Sequence, residues 1–203
     1  MKIICVGKNY TDHIQEMSSS KPNNPVIFMK PDTSIIQKKH PFIIPSFSNN
    51  VHHEIEVVIQ INRLGKYIER KFADKYYNKL TVGIDFTARD IQNNLIENGL
   101  PWEKSKSFDG SALIGDWIEK KSLLNINSLN FFLKKNDKVV QRGNTSLMLW
   151  KIDEIISHIS KFFTLKIGDL IFTGTPAGVG AVSESDFLEG FIEEIKCFEV
   201  KIK

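Results

Sequence analysis

The chain has 203 residues, of which 41% are hydrophobic and 25% are charged, and its formal net charge is +3. This length supports one sizeable hydrophobic core, or at most two small ones, in an ordinary globular protein. No basic cluster is interleaved with aromatic residues, so nucleic acid is not an expected partner. No apolar run approaches the ~18 residues of a membrane span, so no membrane partner is expected either.

The two cysteines and the first residues indicate a cellular location. Cys5 and Cys197 each lie in an apolar run typical of a strand, which favours free buried thiols in a reducing compartment. The chain enters a predicted strand at Ile3–Val6, without the apolar segment of a secretory signal or the Arg/Ser-rich pattern of a transit peptide. A cytoplasmic location is therefore expected.

A short helix is predicted after the first strand, with Thr11 as its N-cap. His13 and Glu16 are spaced i,i+3 and therefore share one face of this helix. A carboxylate that holds one imidazole nitrogen leaves the other free to activate water, so this pair has the form of a general base and its orienting group. An ordinary pair on a helix surface has the same spacing, and the two interpretations stay open at this point.

The next informative segment is an apolar run that continues to about Ile61 and contains Glu54 and Glu56. Successive side chains of a strand point to opposite faces, so these two carboxylates point the same way. They repel each other and are costly to bury unless a cation lies between them, and hard oxygen ligands suit Mg²⁺, Mn²⁺ or Ca²⁺. The alternative is a solvated outer face of a half-buried strand.

A third carboxylate, Asp85, ends a predicted strand that begins near Leu80, where ligand groups commonly gather. If the two strands adjoin, Asp85 completes a three-carboxylate oxygen site that leaves room in an octahedral Mg²⁺ shell for water or a chelating substrate. Thr87 is predicted to cap the following helix, which carries Arg89 and Gln92. Without a neighbouring carboxylate strand, Asp85 is an ordinary turn or cap residue.

The second half of the chain continues mainly as strands. A hairpin is predicted over residues 128–141, and a helix is predicted over Ile152–Phe163, with an isoleucine stripe that belongs to the core. Strands are predicted over Asp169–Phe172 and Ile195–Ile202. No repeat or linker-like segment is present, so a single α+β, mainly β domain over residues 1–203 is expected.

Two further segments have residues that could take part in chemistry. Lys106 precedes an apolar turn and could reach inward, although a Lys-Ser-Lys triplet usually faces solvent. The loop Gly174–Gly180 follows a strand, as phosphate-binding loops do, but it lacks the Walker pattern and no helix follows it, which excludes a nucleotide site of that class. Its backbone N–H groups could still bind a carboxylate.

Taken together, these segments resemble the fumarylacetoacetate hydrolase family, and within it the compact acylpyruvate hydrolase and oxaloacetate decarboxylase branch. The matching segments follow in order along nearly the whole chain: Val6–His13, Phe28–Pro31, His53–Glu56, Gly83–Asp90, Trp102–Phe108, Gly168–Asp169 and Thr173–Pro176. The resemblance implies a mixed β-sandwich roll with short helices, usually assembled as a homodimer. Lys8 stands where this branch often has Arg or Leu, which leaves the substrate selectivity open.

The resemblance also implies roles for individual residues. Glu54, Glu56 and Asp85 match the ligands of the family's divalent metal, usually Mg²⁺ or Mn²⁺. His13 and Glu16 match the catalytic dyad on a short segment, within residues 1–20, that closes over the substrate. Lys106 matches the lysine that stabilises developing oxyanion charge. Four positions match residues that line the substrate pocket: Lys30, Arg89, Gln92 and Thr175.

The activity implied is hydrolysis of the C–C bond of a 3-acylpyruvate, a small 2-oxo acid, to pyruvate and a carboxylate. Decarboxylation of oxaloacetate passes through the same pyruvate enolate, so one site could serve both reactions. Within the family, the alternative is an isomerase or decarboxylase of 2-hydroxy-diene-dioates from aromatic degradation. A different class of alternative is a metal-binding scaffold without catalysis, which would bind metal and turn over neither kind of substrate.

Overall fold

The computed structural model describes residues 1–203, and strands predominate in it. Its fourteen strands are β1 (Ile3–Gly7), β2 (Val26–Lys30), β3 (Val51–His53), β4 (Ile55–Ile61), β5 (Tyr77–Asp85), β6 (Thr87–Ala88), β7 (Ala112–Ile114), β8 (Ile118–Glu119), β9 (Asn130–Lys135), β10 (Lys138–Asn144), β11 (Leu170–Phe172), β12 (Gly180–Ala181), β13 (Phe187–Ile192) and β14 (Ile195–Lys201). Its five α-helices are α1 (Thr11–Glu16), α2 (Arg70–Ala73), α3 (Arg89–Glu97), α4 (Glu103–Lys106) and α5 (Ile152–Phe162). The expected class, mainly β with short helices, is confirmed.

The largest sheet has seven strands in the order β2-β1-β11-β4-β5-β7, with β8 paired to the other end of β5. The pair β1–β11 is parallel and the other pairs are antiparallel, so the sheet is mixed. Its central strands β1, β4 and β11 are mostly apolar because both of their faces are covered, and the polar residues of β4 are Glu56 and Gln60. The pairing of β1 with β11 brings the first residues of the chain against residues 170–172.

A four-stranded antiparallel sheet, β10-β9-β13-β14, and a three-stranded sheet, β12-β3-β6, complete the roll. A cluster of 36 buried residues fills the space between the sheets and α5. The predicted isoleucine stripe of α5 is buried in this cluster: Ile152, Ile155, Ile156 and Ile159. None of the helices combines the length and the hydropathy that are needed to span a bilayer.

The predicted hairpin is confirmed as β9 and β10, joined by Asn136 and Asp137. Both turn residues have positive φ, 50° and 65°, as a two-residue type I′ turn requires. The expectation of free, buried cysteines is also confirmed for Cys5 and Cys197.

The two predicted threonine caps are wrong. Tyr10 holds the N-cap position of α1, and Thr11 is the first helical residue. The chain enters this helix from a bridge between Tyr10 and Met148, which fixes the backbone before Thr11. Thr87 belongs to strand β6, and its hydroxyl is engaged by Lys106 and by the carbonyl of Asp85, so it does not cap α3.

Candidate metal centre and active site

Three carboxylates meet where β4 and β5 lie side by side in the large sheet. Glu54 occupies the one-residue break between β3 and β4, Glu56 is the second residue of β4, and Asp85 is the last residue of β5. The backbone N–H of Asp85 donates to the carbonyl of Glu54 at 2.9 Å, which fixes the two strand ends together. One carboxylate oxygen from each residue lies within 4.8 Å of the others, and all three side chains are buried.

Three buried cations surround these carboxylates. The ammonium of Lys106 donates to Glu54 Oε2 at 2.7 Å, to Asp85 Oδ2 at 2.6 Å and to Thr87 Oγ1 at 2.6 Å. Arg89, the first residue of α3, forms an ion pair with Glu54. On the far side, the Lys30 ammonium lies 2.7 Å from Asp85 Oδ1. The cluster is therefore balanced in charge, although the positive charges are not shared evenly.

The uneven sharing gives the two glutamates opposite pKa shifts. Burial raises the pKa of Glu56 well above its ordinary value, and the nearby charges of Asp85 and Glu54 raise it further. Burial would also raise the pKa of Glu54, but Lys106 and Arg89 outweigh it and hold that pKa well below its ordinary value. Glu56 accepts a hydrogen bond from the backbone N–H of Gly174 at 2.7 Å and has no cationic side chain of its own.

This donor set fits a divalent cation. All three groups offer carboxylate oxygens, which are hard ligands of the kind that Mg²⁺ and Mn²⁺ prefer, and the sheet holds them at one place. Glu56 is buried with only the backbone N–H of Gly174 as its hydrogen-bond donor and lacks a cationic partner. A cation between the three carboxylates would supply that partner.

The second element of the site is the pair on α1. His13 Nδ1 lies 3.2 Å from Glu16 Oε2, so the spacing in sequence is realised as a contact between the two side chains. The other carboxylate oxygen of Glu16 accepts the backbone N–H of Gly178 at 3.0 Å. With Nδ1 facing Glu16, the Nε2 atom of His13 remains free to exchange a proton with a bound molecule.

A cavity of about 290 Å³ connects the carboxylate cluster with the His13 side chain. Its lining includes eight of the ten residues predicted for the site: His13, Glu54, Glu56, Asp85, Arg89, Gln92, Lys106 and Thr175. Glu16 lies behind His13, as an orienting group should. The volume is at the small end of the range for ligand sites and suits a molecule of a few carbon atoms.

Lys30 lies elsewhere than the sequence suggested. It does not line the cavity, and its buried ammonium contacts Asp85, the hydroxyl of Ser111 at 3.0 Å and the carbonyl of Lys106. Lys30 is the last residue of β2 and the only fully buried residue of that strand. Its position is that of a counter-charge for Asp85 and not of a substrate contact.

Lys106 makes its hydrogen bonds within the protein, and its expected role at an oxyanion stays a prediction. Its three N–H donors are all taken by Glu54, Asp85 and Thr87, so none is directed at an oxyanion. The residue does reach inward from α4, as its position before an apolar turn suggested, and it is buried. Donation to a developing oxyanion would require one of these three hydrogen bonds to be given up.

Part of the lining was not identified from the sequence. Helix α3 contributes Asn93, Ile96 and Glu97 as well as Arg89 and Gln92. These five positions recur at helical spacing, so the 3.6-residue period could have found the additional three. The remaining apolar lining comes from separate elements, whose proximity no local pattern indicates: Val6, Ile14, Met17, Phe28 and Trp102.

The glycine-rich loop binds carboxylates, as its backbone N–H groups suggested, but they belong to the protein itself. Gly174 donates to Glu56, and Gly178 donates to Glu16. The loop therefore connects the carboxylate cluster with the His13–Glu16 pair.

Comparison with known proteins places these features in one family. The profile described as fumarylacetoacetate (FAA) hydrolase C-terminal matches residues 2–203. Oxaloacetate tautomerase FAHD1, mitochondrial, from Rattus norvegicus is 39% identical over 201 residues, which cover 99% of this chain and 91% of the relative. The human protein of the same name is 37% identical with the same coverage.

Solved structures agree with the profile and confirm the expected roll. The fumarylpyruvate hydrolase from Pseudomonas aeruginosa, crystallised with Mn²⁺ and pyruvate, matches with a TM-score of 0.93 and 33% identity, covering 100% of this chain and 89% of the other. The 2-hydroxyhepta-2,4-diene-1,7-dioate isomerase from Mycobacterium marinum matches with a TM-score of 0.86 and 35% identity, covering 99% and 73%. These relatives act on different 2-oxo or 2-hydroxy acids with one fold.

Proposed function

Because the chain belongs to the fumarylacetoacetate hydrolase family and is one of its enzymes, we propose that it is a divalent-metal-dependent hydrolase that cleaves 3-acylpyruvates to pyruvate and a carboxylate. The observation that carries this proposal is that the carboxylate cluster and His13 line one cavity of about 290 Å³. Such a site can hold an anionic 2-oxo acid beside a general base.

Glu54, Glu56 and Asp85 would hold the cation, Mg²⁺ or Mn²⁺, through one face of its coordination shell. When bound, the cation would act as a Lewis acid that stabilises negative charge developing on the 2-oxo acid. Charge balance supports an anionic substrate, because the three buried carboxylates already face three buried cations. A divalent ion adds two positive charges, which a substrate anion and its developing enolate can compensate.

The residues of the chain supply the proton transfers. His13, held through Nδ1 by Glu16, takes a proton from water at Nε2, and the resulting hydroxide adds to the distal acyl carbonyl carbon. The C–C bond to the pyruvate methylene then breaks, and its electron pair forms the pyruvate enolate. His13 returns the proton to the enolate carbon, which gives pyruvate, and the carboxylic acid formed from the acyl group loses its proton to solvent to become the carboxylate. Arg89 and Thr175, which both line the cavity, would bind the substrate carboxylate.

A second activity, keto–enol tautomerisation of oxaloacetate, is favoured by the names of the rat and human relatives. It needs no attacking water: a proton leaves the enol hydroxyl and another is added at C3, and His13 can serve as the proton carrier. Decarboxylation of oxaloacetate is a related proposal, since it yields the same pyruvate enolate. The similarity to the diene-dioate isomerase of Mycobacterium marinum supports a further alternative, in which this chain isomerises a 2-hydroxy-diene-dioate.

Pyruvate release from acetylpyruvate, coupled to NADH consumption, tests the proposal with Mg²⁺, with Mn²⁺ and with a chelator. We expect release that depends on the metal. In parallel, the decay of the enol absorbance of oxaloacetate measures tautomerisation. If the protein tautomerised oxaloacetate without cleaving acetylpyruvate, the proposal of a hydrolase would be replaced by that of an oxaloacetate tautomerase. Turnover of neither substrate, with normal Mn²⁺ binding, would favour the isomerase or the scaffold.

Assembly and location are also proposals. We propose a homodimer, supported by apolar side chains on the surface such as Leu64, Tyr67 and Ile167, which are 63%, 72% and 73% exposed. Light scattering after size exclusion tests it. The cytoplasm remains the proposed location, although the rat and human relatives are named mitochondrial, and cell fractionation decides between the two.

A further inference from the structure

The side-chain amide of Gln141 reaches the site from the second sheet, and no role has been assigned to it above. Gln141 is only 1% exposed. Its Oε1 atom accepts the backbone N–H of Ile55 at 3.1 Å and lies 2.8 Å from Nδ1 of His53. Its Nε2 atom donates to Thr175 Oγ1 at 2.9 Å and to the carbonyl of Pro176 at 3.0 Å. One amide thus connects two separate segments of the chain.

The orientation of this amide follows from its partners. The N–H of Ile55 can only donate, so the atom facing it must be the amide oxygen. The carbonyl of Pro176 can only accept, so the atom facing it must be the amide nitrogen. Both ends give the same orientation, and His53 must then carry its proton on Nδ1 to donate to Gln141.

The backbone around Gln141 is shaped to present its side chain inward. The pairing of β10 with β9 is irregular between Val139 and Gln141, and a bulge of this kind re-aims the side chain that follows it. Gly178, with φ +97°, packs against this bulge, and a Cβ there would lie 2.4 Å from the carbonyl oxygen of Val140. The glycine therefore permits the close approach of the loop that carries Thr175.

The first consequence concerns Glu54, which lies between the two residues that Gln141 Oε1 contacts. Glu54 occupies the break between β3 and β4, where the regular ladder is interrupted. Gln141 bonds to the side chain of His53 on one side and to the backbone of Ile55 on the other. It therefore restrains the backbone that aims the Glu54 carboxylate.

The second consequence concerns the hydroxyl proton of Thr175. Because Thr175 Oγ1 accepts a hydrogen bond from Gln141, its own proton must point elsewhere. The carbonyl of Pro176 lies 3.5 Å away, at the limit of a hydrogen bond. Thr175 lines the cavity, so its proton is available to an anionic oxygen of a bound molecule.

We propose that Gln141 is a positioning residue that aims Glu54 at the metal and makes Thr175 a hydrogen-bond donor to the substrate carboxylate. The role of Thr175 rests on the proposed function. The link to Glu54 also holds for metal binding without turnover, so the two can be tested separately.

Two substitutions separate the halves of the amide. Gln141→Met keeps the length and removes both the acceptor and the donor, so we expect Mn²⁺ affinity to fall about tenfold and KM to rise. In its ionised form Gln141→Glu keeps an acceptor for Ile55 and His53 but has no proton to donate, so the Thr175 hydroxyl turns toward the introduced carboxylate. We expect that variant to keep Mn²⁺ affinity within about threefold of the wild type and to raise KM about tenfold.

Calorimetric titration with Mn²⁺ alone and steady-state kinetics with acetylpyruvate and oxaloacetate measure these effects. Thr175→Val should raise KM by a similar factor, and its combination with Gln141→Glu should add little, because both act through the same hydroxyl. This pair keeps the proposal testable if Gln141→Met does not fold.

Ile156→Val, in the core stripe of α5, provides the control for simple destabilisation. It should lower the melting temperature and leave Mn²⁺ affinity and KM unchanged. Gln141 variants that behave in this way would show a structural role only and overturn the proposal. A wild-type protein that binds no Mn²⁺ and turns over no substrate would instead overturn the proposed function.

Discussion

At the scale of single residues, the uneven distribution of counter-charges within the buried cluster decides what each carboxylate can do. Glu54 is paired with Lys106 and Arg89, whereas Glu56 accepts only the N–H of Gly174. Removing one partner of a buried ion pair leaves the other charge uncompensated, which costs about 3–5 kcal/mol. Glu54 therefore contributes to the stability of the fold in addition to its proposed role as a metal ligand, while Glu56 has no ion pair to lose when a metal binds.

His13→Ala should abolish acylpyruvate cleavage and leave Mn²⁺ binding intact, because His13 lies in the cavity but offers no ligand to the carboxylate cluster. Loss of a general base lowers kcat by about 10²–10⁴-fold. Kinetics of pyruvate release and calorimetry with Mn²⁺ provide the two measurements. His40→Ala, an exposed histidine outside the cavity, serves as the control. Undiminished cleavage by the His13 variant would refute the dyad.

Glu56→Gln should weaken Mn²⁺ binding and leave the metal-free protein at least as stable as the wild type. The amide keeps the shape of the side chain but removes one of three mutually repelling buried charges. Calorimetry gives the metal affinity, and urea denaturation in the presence of a chelator gives the free energy of unfolding. Glu199→Gln, at an exposed position, should change neither quantity. Unchanged Mn²⁺ affinity in the Glu56 variant would place the metal elsewhere.

At the scale of elements, the site depends on the glycine-rich loop that follows β11. Gly174 and Gly178 both have positive φ, 101° and 97°, and their N–H groups bind carboxylates of the cluster and of the dyad. Glycine is required where a side chain would both strain the backbone and collide with a neighbour.

Gly178→Ala should therefore be more harmful than Gly168→Ala, although both residues have positive φ. A Cβ at Gly168 would meet nothing within 4 Å, so that variant should lose only about 1–2 kcal/mol from backbone strain. At Gly178 the Cβ would also overlap the carbonyl of Val140, and the hydrogen bond to Glu16 would be displaced. Urea denaturation gives the free energy of unfolding of the two variants, and steady-state kinetics gives their kcat. If both variants lost equal amounts of stability and activity, the role assigned to the loop would be contradicted.

Asp169 joins the start of β1 to the turn before β11. It accepts hydrogen bonds from the backbone N–H of Lys2 and of Lys166, both at 2.8 Å. Burial would raise its pKa, but these hydrogen bonds and the Lys2 ammonium outweigh it and lower the pKa. The carboxylate is therefore preferred in the folded state, and the stability it provides is present above the unfolded-state pKa and lost as the pH falls through the folded-state pKa.

Asp169→Asn should accordingly reduce the free energy of unfolding near pH 7, and the difference from the wild type should shrink below about pH 4. Urea denaturation at several pH values measures it. Glu184→Gln, in an exposed loop, should show no such pattern. A difference from the wild type that does not vary with pH would mean that the Asp169 charge is not the stabilising feature.

At the scale of the whole molecule, the large sheet brings distant parts of the chain to one cavity. The residues that line the cavity extend in sequence from Val6 to Thr175. The parallel pairing of β1 with β11 brings the two ends of this range close together in space. Binding of a metal between β4 and β5 would stabilise the sheet at its centre, because the ligands reach this arrangement only in the folded chain.

Mn²⁺ should therefore raise the melting temperature in a concentration-dependent way. At a free concentration of 100 times Kd, the stabilisation expected from mass action is about 2.7 kcal/mol. Thermal unfolding with increasing Mn²⁺ measures it, and the double variant Glu54→Ala with Glu56→Ala should show no such increase. An equal increase in that variant would locate metal binding outside the cluster.

Several features were predictable because they depend on local patterns. The isoleucine period of α5, the turn residues of the β9–β10 hairpin and the strand end at Asp85 were read correctly from the sequence. The spacing of His13 and Glu16 already placed their side chains on one helix face. The family resemblance rests on the order of such segments along the chain, and the comparisons confirm it.

The sequence by itself determined which residue types were available for the chemistry and on which elements they lie. Only the tertiary structure decided that Lys30 pairs with Asp85, that all three donors of Lys106 are used and that Gln141 joins Ile55 to Thr175. The physical reason is that these are contacts between residues 19 to 86 positions apart in the chain. The energy of these contacts depends on burial and on partners that the sheet topology brings together. Neither can be predicted from the local periodicity of the sequence.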